Sequence, residues 1–219
     1  MKTVARLVLA FTLAAFVSAC SLDLPGSGEP ARIFVLSPKS TFREDLPAVD
    51  WQLLIDTPIS AAGISSSRIA LQQNARELEY YSRAAWTDAS PKLIQTLLIE
   101  SFENSGKILA VGRQTIGLRS DFLLSTELRE FQAEYYDDAG RTLPKGTPPR
   151  VRVRLNVKLI KMPQRAIVGS ETMEGVVRAK NTDMVSVVQA YDEALGKVLK
   201  ETVHWTLRQG EKVRDRAGR

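Results

Sequence analysis

Residues 151–159 read VRVRLNVKL, an unbroken alternation of apolar and polar side chains. Successive side chains of a β-strand point to opposite sides of the sheet, so this stretch predicts a half-buried antiparallel strand. Its outer face carries Arg152, Arg154 and Lys158. Such a face is either simply solvated or placed against anionic lipid headgroups.

A second long strand is predicted immediately before this one, over residues 121–136. Its apolar side chains change phase between Leu128 and Phe131, which predicts a β-bulge near Arg129 and Glu130. A third strand over residues 171–178 would complete a meander. The connection 137–150 is long for a hairpin, so we expect it to project from the body of the domain.

Shorter strands are predicted upstream, at residues 32–36, 51–56, 68–72, 77–81 and 108–111. A helix precedes the last of them. Ser90 is its expected N-cap, Pro91 its first helical residue and Gly106 its C′ residue. The order strand, helix, strand predicts that residues 77–81 and 108–111 pair as a parallel crossover. The apolar face of the helix consists of Leu93, Ile94, Leu97, Leu98 and Phe102.

A long amphipathic helix over residues 183–208 is the last predicted element, and the charged residues 210–219 are expected to form a basic, disordered tail. Residues 32–209 are expected to form a single domain. The predicted fold class is α+β: a mostly antiparallel sheet with two principal helices packed on one face.

The amino terminus has the pattern of a secretion signal. Lys2 and Arg6 precede an apolar run over residues 7–17, which is far shorter than the roughly 18–20 residues of a membrane span. The run leads to Val17-Ser18-Ala19-Cys20, which resembles a bacterial lipobox. We therefore expect a signal peptide over residues 1–19, a lipid on Cys20 and a flexible tether over residues 20–31. An ordinary signal peptide followed by a chance cysteine is the alternative.

Charge and residue usage exclude several classes of protein. The formal charge is +5, and removal of Lys2 and Arg6 leaves 28 basic and 25 acidic residues, or +3. Residues 208–219, with five basic and two acidic side chains, account for all of that +3, so no nucleic-acid partner is expected. A single cysteine and a single histidine can form neither an intramolecular disulfide nor a Cys/His zinc site. No phosphate-binding glycine motif occurs, and we expect no metal and no cofactor.

Catalytic residues are equally scarce. His204 is the only histidine, and its position near the end of the last predicted helix favours a structural role. The acidic pair Glu77 and Glu79 would share one face of a strand, and Asp137-Asp138 is a turn signal. We therefore expect no catalytic residue. A periplasmic hydrolase, which would need His204 or the acidic pairs, is an alternative.

Three aromatic residues, Tyr80, Tyr81 and Trp86, lie just before the first predicted helix. They are either packing groups of the core and its rim or a contact surface for a partner protein, since Tyr and Trp are enriched among interface anchors.

These residues also resemble a known family. The run SSSRIAL at 65–71, ELEYY at 77–81 and AAW at 84–86 before an amphipathic helix resemble the ABC-type transport auxiliary lipoproteins, as do the lipobox and the closing helix from DMVSVVQAY at 183–191. The resemblance covers essentially the whole mature chain. It departs from the family at Gln72-Gln73, where many relatives carry a basic or aromatic pair.

The resemblance implies a role without catalysis. Such proteins are partners of MCE-type (mammalian cell entry) intermembrane lipid transport systems, including the paraquat-inducible one, and the ATPase is a separate subunit. It implies an MCE-domain protein as partner, the periplasmic side of the outer membrane as location, and a possible homo-oligomer. Ser21, rather than Asp, after the lipidated cysteine favours the outer membrane over the inner. A periplasmic carrier that itself binds acyl chains and an outer-membrane assembly lipoprotein remain alternatives.

Overall fold

The computed structural model describes residues 30–114 and 119–217. Residues 31–219 group into one compact unit. The predicted signal peptide, Cys20 and nearly all of the predicted tether lie outside the described residues, and so do the last two residues of the chain.

Nine strands and two α-helices are found among the described residues. The strands are β1 Arg32–Phe34, β2 Val49–Ile55, β3 Ile59–Ser60, β4 Arg68–Asn74, β5 Glu77–Trp86, β6 Ile108–Arg113, β7 Phe122–Glu134, β8 Arg150–Lys161 and β9 Ala166–Arg178. The helices are α1 Ser90–Ser105 and α2 Met184–Ala217. A short 3-10 turn covers Ala62–Ile64.

The predicted meander is confirmed and runs from β7 to the edge of the sheet at β9. Strands β7, β8 and β9 pair antiparallel along their lengths. The register between β7 and β8 shifts between Leu128 and Glu130, which confirms the bulge. After the shift Phe131 lies opposite Val153 and Ala133 opposite Val151, all on the core face.

The other side of β7 is shared by three strands, so the sheet forks there. Strand β2 pairs with the first residues of β7, β3 with its middle and β4 with its end, all in parallel. Strand β6 adds to β2 in parallel, β5 adds to β4 antiparallel, and β1 adds to β5 in parallel. The α+β class is confirmed, but the sheet is mixed rather than mostly antiparallel. Long connections allow β2 and β4 to return beside β7 in the same direction.

The predicted parallel crossover between residues 77–81 and 108–111 is wrong. Strand β6 pairs with β2, where Val111 lies opposite Leu53. Residues 77–81 pair with β4 alone, since β1 pairs only with residues 84–86 of β5, and the chain leaving α1 adds to the free edge of β2 instead.

Helix α1 ends as predicted but begins differently. Gly106 adopts the left-handed conformation with φ of 59° and ends the helix. Ala89, not Ser90, is the N-cap residue, and no side chain caps the helix. Ser90 is buried in the first turn, and its hydroxyl donates to the carbonyl oxygen of Ser66 at 3.0 Å. The serine therefore ties α1 to the loop before β4.

Helix α2 continues to Ala217, so the expectation of a disordered tail from residue 210 is wrong. Gly210 lies within the helix and allows the indole of Trp51 to pack against it: a Cβ there would be 2.5 Å from the Trp51 ring. Ion pairs of Arg208 with Asp45 and of Arg214 with Asp50 attach the last turns to the rest of the domain.

The connection between β7 and β8 also differs from expectation, since it returns along the sheet instead of projecting freely. The amide of Leu143 donates to the carbonyl oxygen of Tyr135 at 2.7 Å, and the Thr142 hydroxyl donates to that of Gln73 at 3.2 Å.

Candidate functional site

Trp86 lies in the core rather than on the surface. It is 2% exposed, and its ring centroid lies 5.6 Å from that of Phe131 and 5.0 Å from that of Tyr191. The Tyr191 hydroxyl in turn donates to the carbonyl oxygen of Ala70 at 2.7 Å. The packing interpretation therefore holds for Trp86, and a partner cannot touch this indole without opening the fold.

Tyr80 and Tyr81 are half-buried and point to opposite sides of β5, as neighbours in a strand do. The Tyr80 hydroxyl donates to the carbonyl oxygen of Gly63 at 2.8 Å, and the Arg68 guanidinium lies 3.5 Å from the centroid of its ring. The hydroxyls of Tyr81 and Tyr135 are 2.9 Å apart. Burial, together with this hydrogen bond, raises the pKa of Tyr81 well above its usual value. The three aromatic residues therefore form no common patch.

The arginines on the outer face of β8 are paired with carboxylates of β7 and β9, so the expectation that they are simply solvated is wrong. Glu134 of β7 is almost fully buried and accepts from Arg152 Nε at 2.8 Å and from Arg150 at 3.4 Å. Arg152 also pairs with Glu174 of β9. Arg154 Nε lies 3.6 Å from Glu130.

We call the side chains Glu130, Glu134, Arg150, Arg152, Arg154 and Glu174 the ion-pair cluster. With Asp138, which pairs with Arg150 at 2.6 Å, it contains three cations and four carboxylates. The hydrogen bond to Glu134 raises the pKa of Arg152. An anionic headgroup would have to displace protein carboxylates here, which argues against lipid binding by these arginines. The sequence held a signal for this pairing, since Glu130 and Glu134 share the outward phase of β7.

A groove that the sequence analysis missed runs between residues 35–40 and helix α2. Its volume is about 610 Å³. The amide of Ser37 donates to Asp192 Oδ1 at 2.6 Å and fixes the segment beside the helix. The groove is apolar near Val35 and Val188 and carries charges further along, at Lys39, Asp192, Glu193, Lys197 and Lys200.

His204 is 6% exposed and packs against Phe42, with ring centroids 6.0 Å apart. Burial lowers the pKa of its imidazole. Its Nε2 has no hydrogen-bond partner among the described residues. Glu77 and Glu79 are exposed, and Asp137 closes a turn with Arg141. Within residues 30–114 and 119–217, no three His, Cys, Asp or Glu side chains come together as a possible metal site.

Comparison with known proteins gives the family. The profile of the ABC-type transport auxiliary lipoprotein component matches residues 34–203, which include strands β2 to β9, helix α1 and most of helix α2. This chain belongs to the ABC-type transport auxiliary lipoprotein family. The resemblance drawn from the tyrosine and tryptophan motifs is thereby confirmed.

Individual proteins are also similar to this chain in sequence or fold. A protein from Xanthomonas campestris, known from a crystal structure, is 32% identical; the match covers 84% of this chain and 99% of that one, with a TM-score of 0.76. A second crystal structure, of an uncharacterized protein at 12% identity, shares the fold with a TM-score of 0.54 and covers 85% of this chain and 99% of that one. An uncharacterized protein of Bradyrhizobium diazoefficiens is 24% identical over 186 residues. That match covers 84% of this auxiliary lipoprotein but only 47% of the relative, so the chain spans about half the relative's length.

By its family, this chain is an envelope-associated lipoprotein component of an ABC-type transport system. No helix in the described part of the chain combines the length and apolar character needed to cross a membrane.

Proposed function

We propose that this protein is a non-catalytic, lipid-anchored periplasmic adaptor of an MCE-type ABC lipid transport system. The observation that carries the proposal is the family match over residues 34–203, on a chain whose first twenty residues end in a lipobox pattern. The ATPase and the membrane-spanning permease would be separate subunits.

In this proposal Cys20 carries the lipid and the following residues set the reach of the domain. The ten steps from Cys20 to Pro30 span at most about 36 Å when extended, and about 17 Å as a flexible coil. Ser21 favours placement on the periplasmic side of the outer membrane. The folded unit would then stand between that membrane and the MCE assembly, and it could do so as a homo-oligomer.

The contact with the MCE-domain protein is proposed to include one of the half-buried tyrosines of β5, Tyr80 on one side of the strand or Tyr81 on the other. Trp86, packed in the core against Phe131 and Tyr191, is not part of the proposed contact. A Tyr80→Ser variant would lose the ring beside Arg68 and the hydrogen bond to Gly63, so we expect weaker partner capture by a protein that still folds, with a lower unfolding midpoint than the parent. Unchanged capture would remove Tyr80 from the contact surface.

Crosslinking of the full-length lipoprotein in cells, followed by purification from membranes and mass spectrometry, tests the proposal. We expect an MCE-domain protein among the crosslinked species and a lipid-modified amino-terminal cysteine. A Cys20→Ser variant, which cannot be lipidated at residue 20, is the matched control and should lack the lipid modification while keeping the same fold. Recovery of only the protein itself, or of an unrelated outer-membrane barrel, would contradict the adaptor role.

A further inference from the structure

The first strand carries two exposed apolar side chains that nothing in the described structure covers. Ile33 is 67% exposed and Val35 is 70% exposed. Both lie on or just after β1, which pairs with β5 on one side and is an edge of the sheet on the other. Val35 also lines the groove beside α2. Large apolar groups exposed side by side mark surfaces that contact something else.

Cations surround this apolar edge. Arg32 of β1 lies with its guanidinium 5.0 Å from the Phe34 ring, and Lys39 and Lys200 line the groove. None of these three cations forms an ion pair with a described residue, whereas Lys197 pairs with Glu193 at 3.0 Å. Asp192 accepts from the amide of Ser37. Four cations, Arg32, Lys39, Lys197 and Lys200, against the two anions Asp192 and Glu193 give the groove region a net charge of +2, in contrast to the ion-pair cluster on β8.

The position of this edge in the chain points to its occupant. Arg32 is only twelve residues after Cys20, so β1 is the described strand nearest to the proposed lipid anchor. A tether that reaches at most about 36 Å holds the edge at a high effective concentration over the bilayer. Under these conditions even a weak contact is populated.

We infer that the β1 edge and the adjoining groove form a second membrane contact, in which Ile33 and Val35 enter the interface of an anionic lipid surface and Arg32, Lys39 and Lys200 meet its headgroups. Basic side chains beside a few apolar ones are the composition that binds such surfaces. The contact would fix the orientation of the domain relative to the membrane. This inference rests on the lipid anchor in the proposed function.

Cys20 is the only cysteine of the chain and carries the lipid in the proposed function, so an introduced cysteine would be the only free thiol. Labelling of introduced cysteines therefore tests the inference directly. Full-length lipoprotein carrying Ile33→Cys or Val35→Cys is labelled with an environment-sensitive thiol dye and reconstituted into vesicles of phosphatidylethanolamine and phosphatidylglycerol. We expect a blue shift of the dye emission and quenching by brominated lipid at both positions. Ile167→Cys is the matched control, because Ile167 is 61% exposed on β9 and also has basic neighbours, and we expect no shift there.

A companion measurement isolates the cations. The Lys39→Gln/Lys200→Gln pair in the Val35→Cys background, or high salt, should reduce the shift, because headgroup attraction is screened. The inference would be overturned if the dye emission did not shift at residues 33 and 35, or if it shifted equally at residue 167. It would also be overturned if the emission shifted in detergent as the protein concentration rose, because that result would indicate contact between copies of the chain. Dye uptake by the parent protein at Cys20 is a separate result, since it would overturn the anchor itself.

Discussion

The two sides of helix α2 differ in how closely the rest of the domain packs against them. On the sheet side, a Cβ added to Gly175 of β9 would lie 2.2 Å from the carbonyl oxygen of Ala194. Two residues further along the helix, a Cβ added to Gly196 would meet nothing within 4 Å. Gly196 lines the groove. One side of the helix is therefore in backbone contact with the sheet, and the other is open.

This difference shows which parts of the helix serve the fold and which are free for contacts. The sheet side is held by Tyr191, by Gly210 against Trp51, and by Gln209, whose amide donates to the carbonyl oxygen of Val168 at 2.6 Å. On the groove side, no contact within the described protein requires a glycine at residue 196. A glycine in a helix costs about 1 kcal/mol of stability relative to alanine. Partner or membrane contacts are thus expected from the groove side.

The largest expected effect is on the sheet side, from Trp86→Ala. Removing an indole packed between Phe131 and Tyr191 should lower the free energy of unfolding by about 3–5 kcal/mol. Urea unfolding followed by circular dichroism measures this loss. Ile33→Ala, at an exposed position, is the control and should stay within about 0.5 kcal/mol of the parent. A comparably small loss for Trp86→Ala would mean that the indole is not a core group.

The second largest loss of stability is expected from Gly175→Ala. The new methyl group would collide with the backbone of Ala194, so α2 must move from β9, at a cost of about 1–3 kcal/mol or more. The same urea measurement applies. Gly112→Ala is the matched control, because Gly112 also lies in a strand but has open space at its Cβ position. Equal stability of the two variants would contradict the close contact between α2 and β9.

A smaller effect depends on pH and on His204, where α2 meets Phe42. Burial lowers the pKa of His204, so the unfolded chain takes up the proton first as the pH falls. The free energy of unfolding should therefore decrease below about pH 6.5, by at most about 1.4 kcal/mol per pH unit for one proton.

The measurement for His204 is a comparison with His204→Gln between pH 7.5 and about pH 5, above the range in which ordinary carboxylates titrate. The parent should lose stability across this interval and the variant should lose less. Identical slopes would show that His204 is not buried as a neutral group.

The smallest effect is a gain, from Gly196→Ala on the groove side. Since the Cβ meets nothing, only helix propensity changes, and stability should rise by about 1 kcal/mol. A higher urea midpoint checks this. A lower midpoint would mean that the groove is closed by other parts of the chain, and the contrast between the two sides of α2 would disappear.

The local patterns of the sequence predicted much of the fold. The alternation at residues 151–159, the bulge near Glu130 and the end of α1 at Gly106 depend on neighbouring residues, which is why they could be predicted. The family also followed from the sequence, because its motif residues lie within short segments. The amino-terminal prediction at Cys20 stays a prediction.

The pairing of β6 with β2, the core position of Trp86 and the continuation of α2 past Gly210 were decided by tertiary structure. Each involves residues far away in the chain: strand β2 for β6, the rings of Phe131 and Tyr191 for Trp86, and Asp45 and Asp50 for the last turns of α2. The same holds for charge. Sequence determined that β8 carries an arginine row, but only the sheet brought Glu134 and Glu174 against it, since pairing across strands is set by register and not by local composition.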